Sequence, residues 1–179
     1  MGLDPAVEAA RLPVHDTEPL GFDALWDRHA GRAMQLAGLL TGSSSVAEDV
    51  VAEAFARVLP KWRRGGVEAF WPYLRAAIVN EVRGRARRAL TVRRWQDRQR
   101  DAVGVASPEI EVTERRALAL ALGQLPPVQR RVVVLRYFED LSEAETARLL
   151  GCGVGTVKSS TSRGLARLRE VLAEETPDA

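Results

Sequence analysis

Small hydroxyl and cationic side chains follow one another from residue 155 to residue 163, in the stretch G-T-V-K-S-S-T-S-R. At helical spacing, seven side chains should point away from the apolar side of this stretch: Gly155, Thr156, Lys158, Ser159, Ser160, Ser162 and Arg163. Small residues let a helix approach the DNA major groove, hydroxyls bond phosphates or bases, and Lys and Arg neutralise phosphates or bond guanine. The pattern favours DNA binding, although a solvated face on an ordinary helical hairpin would have the same spacing.

Positive charge is concentrated in a second part of the chain. Residues 61–100 contain twelve basic and three acidic side chains, although the whole chain has a net charge of only +2. Arg83, Arg85, Arg87 and Arg88 crowd the end of a predicted helix within this segment. Such a local excess of charge attracts a polyanion even when the protein as a whole is nearly neutral.

The remaining chemistry of the sequence points away from an enzyme. The chain has two histidines, His15 and His29, and one cysteine, Cys152. No spacing of these residues specifies a catalytic site, a metal site or a disulfide framework, so no catalytic residue, metal or cofactor is expected. The N-terminus lacks a long apolar run, and the longest run of valine, leucine and isoleucine is Val132–Leu135. A soluble, cytoplasmic protein without membrane insertion is therefore predicted.

The polar stretch from residue 155 to residue 163 must be positioned by a helix-turn-helix. Ser142 followed by Glu145 is a capping box at the start of a short helix. Gly151 supplies the positive φ expected just after the end of that helix. A second helix is predicted from about Val154 to about Leu172, and its buried side is predicted to consist of Val157, Leu165, Leu168 and Leu172.

Helical spacing dominates the rest of the chain as well, and the predicted fold class is all-α. Two small helical domains, residues 20–90 and 114–175, are joined by a flexible linker over 91–113, and residues 1–19 form a disordered tail. In the first domain, the helix with the stripe Val50 to Leu59 is expected to end at Pro60. The next helix carries Pro72, which is tolerated only in a first turn.

Four segments, taken in order, resemble the extracytoplasmic-function sigma factors of RNA polymerase. "SVAEDVVAEAFARVLPKW" is similar to the core-binding helix of that family, and "FWPYLRAAIVNEVRGRARR" to the segment that melts and reads the −10 element. "LPPVQRRVVVLRYFE" and "DLSEAETARLLGCGVGTVKSSTSRGLARLR" resemble the domain that reads the −35 element. The variant "SSTSRGLARLR" looks most like the actinobacterial SigE-like subgroup.

The resemblance implies an alternative sigma factor that binds core RNA polymerase, recognises promoter DNA and directs transcription initiation, with no catalysis of its own. Residues 20–90 then correspond to sigma region 2 and bind the β′ clamp helices. Residues 114–175 correspond to sigma region 4 and dock on the β flap tip. An anti-sigma factor is a further partner that the family allows.

The resemblance also assigns residues to these surfaces. The implied −35 contacts are Gly155, Thr156, Lys158, Ser159, Ser160 and Arg163. The implied −10 contacts are Asn80, Arg83, Arg87 and Arg88. Asp49 and Glu53 are the implied contacts with core polymerase. Two positions depart from the family pattern: Gly153 stands where a capping serine is usual, and Ser160 where a longer Arg or Gln is common.

Two other functions fit parts of the sequence. A serine recombinase would use Ser43-Ser44-Ser45 ahead of a C-terminal helix-turn-helix, but no α/β catalytic domain is predicted. A repressor or activator with a LuxR-like tail would share the G-T-V-K motif. A sensor domain would not need the acidic helix followed by the arginine-rich helix that residues 46–88 predict.

Overall fold

A computed structural model of the chain describes residues 21–66, 69–96 and 114–174. Within these ranges every regular element is a helix and no strand occurs, which confirms the predicted all-α class. The predicted tail, residues 1–19, and the linker residues 97–113 lie outside the described ranges.

The first domain consists of α1 (Phe22–Thr41), α2 (Ser44–Arg63) and α3 (Phe70–Gln96). Ser43 caps α2 by accepting a hydrogen bond from the Val46 N–H, as the serine run predicts. The predicted apolar stripes meet in one core. Its large, fully buried members are Leu25, Leu36, Val50, Val51, Val58, Phe70, Leu74, Ile78 and Val79.

The two prolines of this domain behave differently from each other. Pro72 is the third residue of α3, so it lies in the first turn as predicted. The prediction that Pro60 ends α2 is wrong, because the helix continues to Arg63 with Pro60 inside it. A proline removes one backbone hydrogen bond, and so close to the helix end the packing of Phe55, Val58 and Trp62 outweighs that loss.

The second domain contains α4 (Glu114–Gly123), α5 (Pro127–Val133), a π turn (Val134–Phe138), α6 (Glu143–Leu150) and α7 (Val154–Glu174). The π turn was not predicted. In it the Glu139 N–H donates to the Val134 carbonyl, five residues earlier, at 3.2 Å. The buried residues around it are Val132, Val133, Val134 and Leu135.

Helix α7 packs closely on α5 through a small residue. A side chain at Gly164 would put its Cβ 2.8 Å from Val133 Cγ2, so only glycine allows this approach. Val157, Leu168 and Val171 are the buried apolar residues of α7. Leu172, predicted to be buried, is instead exposed, and its neighbour Val171 is buried in the domain.

The two domains also contact each other. Helix α1 lies against α4, α5 and the π turn, and α3 lies against α6. The end of α3 is therefore close to the helix-turn-helix formed by α6 and α7. Helix α3 itself runs to Gln96, six residues into the segment that the sequence assigns to the linker.

Candidate nucleic-acid interface

The helix-turn-helix is built from local signals in the sequence. Ser142 accepts a hydrogen bond from the Glu145 N–H at 3.1 Å, and Glu145 accepts one from the Ser142 N–H at 2.7 Å. These bonds from Ser142 lower the pKa of Glu145 and outweigh the opposing effect of burial. Gly151 then ends α6 with φ 61°, and the Gly153 carbonyl accepts the first hydrogen bonds of α7.

The outer face of α7 presents small hydroxyl and cationic side chains to solvent. Its members are Gly155, Thr156, Lys158, Ser159, Ser162 and Arg163, of which only Ser159 is half-buried. Lys158 Nζ lies 3.7 Å from Glu143 Oε2, and both side chains remain accessible. Arg163 Nε donates to the Ser159 carbonyl of its own helix at 3.2 Å. The side chains of Lys158 and Arg163 therefore make weak interactions that are exposed to solvent.

Ser160 does not belong to this face. It is only 6% exposed and lies one turn before Gly164, on the side of α7 that packs against α5. The expectation that Ser160 projects away from the apolar side of α7 is therefore wrong, because the residue is buried in the domain. Ser162, two residues later, is exposed and takes its place on the outer face.

The basic end of α3 contains the four residues assigned to the −10 element. Asn80 and Arg83 are half-buried, whereas Arg87 and Arg88 are exposed. Arg83 Nη1 donates to the Leu149 carbonyl of α6 at 3.2 Å. The structure thus places all four on one helix, and one of them already bonds the other domain.

A buried carboxylate that the sequence analysis did not single out organises this end of α3. Glu81 Oε1 accepts hydrogen bonds from Arg85 at 3.1 Å and Arg88 at 2.9 Å, and its Oε2 accepts one from Arg57 of α2 at 3.2 Å. Burial alone would raise the pKa of Glu81, but the three arginines outweigh it and the pKa is lowered. The helical spacing of Glu81, Arg85 and Arg88 was visible in the sequence. We name these four residues the Glu81 cluster.

Asp49 and Glu53 lie on the exposed side of α2, opposite the buried Val50, Val51, Ala54 and Phe55. They are four residues apart and therefore neighbours on the helix surface. Asp49 Oδ2 forms an ion pair with Arg85 at 3.3 Å, and its side chain remains 68% exposed. The pair thus presents two carboxylates to solvent beside the Glu81 cluster.

Two kinds of site are missing from the part of the chain that the structure describes. No group of three histidine, cysteine or acidic side chains there could hold a metal ion. Among the same residues, no helix combines the length and the apolar character needed to cross a membrane.

Two protein-family models match this chain, one in each domain. The family described as "Sigma-70 region 2" matches residues 25–91, which cover α2 and most of α1 and α3. The family described as "Sigma-70, region 4" matches residues 115–168, which cover α6 and most of α7. The RNA polymerase sigma-E factor of Streptomyces antibioticus is 37% identical over 134 residues, covering 74% of each chain. The ECF RNA polymerase sigma factor SigM of Mycobacterium tuberculosis is 34% identical over 154 residues, covering 84% of this chain and 76% of that protein. The chain belongs to the extracytoplasmic-function sigma factors.

Solved structures support the fold of this sigma factor. The sigma factor RpoE of Bartonella quintana, solved in complex with the anti-sigma factor NepR, superposes with a TM-score of 0.65 at 22% identity, covering 85% of this chain and 96% of that chain. CnrH, solved in complex with the cytosolic domain of CnrY, gives a TM-score of 0.57 at 23% identity, covering 96% and 97% of the two chains. At these identities the likeness describes the fold alone.

Family membership settles the class of activity. The sigma factor binds core RNA polymerase and promoter DNA and directs transcription initiation, and it is not an enzyme. The serine recombinase and the LuxR-like regulator considered from sequence are thereby excluded. The resemblance to sigma regions 2 and 4 is confirmed.

Proposed function

We propose that the sigma factor reads the −35 element with the outer face of α7. The observation that carries this proposal is the alternation along α7: Val157, Ser160 and Gly164 are buried, while the hydroxyls and cations between them are exposed. Arg163 is suited to a bidentate bond with guanine or to a phosphate. Lys158 supplies a point charge on the same face, and Gly155 allows the helix to approach the groove closely.

The end of α3 is proposed to contact the −10 element. Asn80 offers an amide that can bond a base edge, and Arg83, Arg87 and Arg88 offer guanidinium groups that suit phosphates. The Glu81 cluster supports this assignment, because a buried carboxylate fixes the direction of Arg88. In this proposal Arg83 exchanges the Leu149 carbonyl for DNA when the promoter is bound.

Core polymerase is proposed to bind at Asp49 and Glu53, through the β′ clamp helices, while the second domain docks on the β flap tip. Two like charges at i and i+4 slightly destabilise an isolated helix. Arg85 offsets the charge of Asp49 in part, but the pair is exposed and Asp49 stays accessible to a basic partner. Exposed charges of this kind mostly set the rate and register of association.

Two further proposals concern the regulation and the cellular location of this sigma factor. RpoE was solved with the anti-sigma factor NepR, and CnrH with the cytosolic domain of CnrY. We propose that an anti-sigma factor also controls this sigma factor. Because its function requires core polymerase and promoter DNA, we propose that it acts in the cytoplasm.

Two double charge reversals of similar size separate these surfaces. Asp49→Lys with Glu53→Lys should abolish co-elution with core polymerase at moderate salt while keeping the helical circular dichroism signal. Arg87→Glu with Arg88→Glu should retain co-elution but prevent melting of the promoter, measured as loss of permanganate reactivity at −10 thymines. Each variant reverses two exposed charges of the first domain, and both must retain the helical circular dichroism signal, because Arg88 also bonds the buried Glu81.

Opposite outcomes would reject each assignment separately. Retained co-elution of the Asp49, Glu53 variant would move the polymerase contact elsewhere on the first domain. Normal permanganate reactivity of the Arg87, Arg88 variant would remove these residues from the −10 surface.

A further inference from the structure

Glu139 joins the two domains through a single carboxylate oxygen. It follows the π turn of the second domain, and its Oε2 accepts hydrogen bonds from three side chains of the first domain. The donors are Arg32 Nη2 at 3.1 Å, Trp71 Nε1 at 3.1 Å and Arg75 Nη1 at 3.3 Å. We name Arg32, Trp71, Arg75 and Glu139 the interdomain cluster.

This cluster is more enclosed than a surface ion pair. The Glu139 side chain is 2% exposed and that of Arg75 is 12% exposed. The Arg32 guanidinium lies 4.1 Å above the centre of the Trp71 ring, which adds a cation–π contact. A buried charge is tolerated only when it is paired and hydrogen-bonded, so separation of the domains must transfer Glu139 to water.

A second polar contact joins the same two domains at the helix-turn-helix. Arg83 Nη1 bonds the Leu149 carbonyl in the last turn of α6 at 3.2 Å. Arg83 Nη2 also lies 3.0 Å from the position that a Cβ would have at Gly151. Exposed carbonyls at the C-terminal end of a helix have partial negative charge and attract a cation. The end of α3 and the helix-turn-helix are therefore within hydrogen-bond distance of each other.

Direct contact between the end of α3 and the helix-turn-helix is incompatible with a sigma factor bound to both promoter elements. The −10 and −35 elements are separated by about 25 base pairs, or about 85 Å of B-DNA at about 3.4 Å per base pair. While α3 is bonded to α6 of the helix-turn-helix that carries α7, α3 and α7 cannot reach both elements at once. The packed structure is therefore a state of the free chain, and the interdomain cluster must break before the promoter is bound.

We propose that Glu139 is an interdomain latch, whose bonds to Arg32, Trp71 and Arg75 hold the free sigma factor closed. Closure keeps Arg83 on the Leu149 carbonyl and away from DNA. The latch itself is independent of the residue assignments proposed above, but its effect on DNA binding depends on the proposed role of Arg83.

The test uses the full-length chain and two readouts. Small-angle X-ray scattering reports the radius of gyration, which is about 16 Å for a compact chain of this length. Fluorescence anisotropy reports affinity for a labelled 30-base-pair duplex of mixed sequence. Glu139→Gln keeps the size of the side chain but removes its charge, and Trp71→Phe removes one donor from the opposite domain. Glu170→Gln, which breaks the exposed pair with Arg167 within α7, is the matched control.

Glu139→Gln should increase the radius of gyration and strengthen duplex binding, and Trp71→Phe should change both in the same direction by less. An open fraction that rises from about a tenth to most of the molecules would tighten binding about tenfold. Glu170→Gln should behave like the wild type. The double variant should open no more than Glu139→Gln alone if the two residues act through one bond.

A wild-type radius of gyration for Glu139→Gln, with helicity retained, overturns the latch. If Glu139→Gln loses helicity, Trp71→Phe decides the question, and an unchanged radius for that variant rejects the proposal. A larger radius of gyration without a gain in duplex affinity would support the latch but would remove Arg83 from the DNA-binding surface. The latch and the role of Arg83 can therefore be rejected independently.

Discussion

The end of α3 and the outer face of α7 both present cations, but they hold them in different ways. In α3, Arg85 and Arg88 bond the buried Glu81, and Arg83 bonds a carbonyl of the other domain. In α7, Lys158 and Arg163 have only exposed partners within their own domain. A substitution in α3 should therefore affect folding and binding together, whereas one on the outer face of α7 should affect binding alone.

Glu81→Gln should produce the largest effect on stability. It leaves Arg57, Arg85 and Arg88 close together without their shared carboxylate. Breaking a buried pair by removing one partner costs about 3–5 kcal/mol, and partial exposure of these arginines should reduce the loss to about 2–3 kcal/mol. Urea unfolding followed by circular dichroism measures this difference. An unfolding free energy within error of the wild type would contradict the role given to the Glu81 cluster.

The pH dependence of the same pair of proteins sharpens this prediction. The pKa of Glu81 is lowered in the folded chain, so its contribution to stability is fully present above the unfolded pKa, near 4.3. That contribution is lost as the pH falls through the folded pKa. The difference between wild type and Glu81→Gln should therefore be constant near pH 7 and should shrink below about pH 4. A difference that grows toward acid would be contrary to the lowered pKa.

Arg163→Ala should weaken promoter binding of the holoenzyme without changing stability. If Arg163 makes a bidentate base contact, the loss should be about 2 kcal/mol, roughly thirtyfold, and one position of the −35 element should become less selective. A uniform loss across promoter variants with a shallower salt dependence would make Arg163 a phosphate contact. The matched control is Arg167→Ala, one turn further along α7. Equal losses for both variants would show that Arg163 has no special position.

Ser160→Ala should have the smallest effect, because its side chain is buried against the domain. We expect promoter affinity within about twofold of wild type. Ser162→Ala, two residues away on the outer face, should cost more, up to about 1.5 kcal/mol for one lost hydrogen bond. The affinity for promoter DNA is measured by titration with holoenzyme that contains one variant or the other. A larger loss for Ser160→Ala than for Ser162→Ala would return Ser160 to the DNA-binding face.

Local features of the fold were predictable from the sequence. The capping box of Ser142 and Glu145, the αL conformation of Gly151 and the cap of Ser43 each depend on residues a few positions apart. The burial of Ser160 was missed for a physical reason. Helix α7 approaches α5 through the small residues Ser160 and Gly164, and close packing of this kind leaves no apolar residue in the sequence to mark it.

The interdomain cluster lay beyond prediction because nothing local indicates it. Glu139 is 64 residues from Arg75 and 107 from Arg32 along the chain. Glutamate is usually exposed, and a single sequence shows no pairing between distant positions. The Glu81 cluster is an intermediate case, since two of its three arginines lie on the same helix at visible spacing and only Arg57 comes from elsewhere.

The π turn at Val134–Phe138 makes the second domain sensitive to the number of codons in this part of the gene. A π turn contains one residue more than an α-helical turn. Deletion of a single codon, such as that of Arg136, would keep the reading frame and allow the segment to become α-helical. Glu139 would then rotate by about 100° around the helix axis and turn away from Arg32, Trp71 and Arg75. A gene in this lineage could thus lose the closed state by length alone, with every residue of the interdomain cluster still encoded.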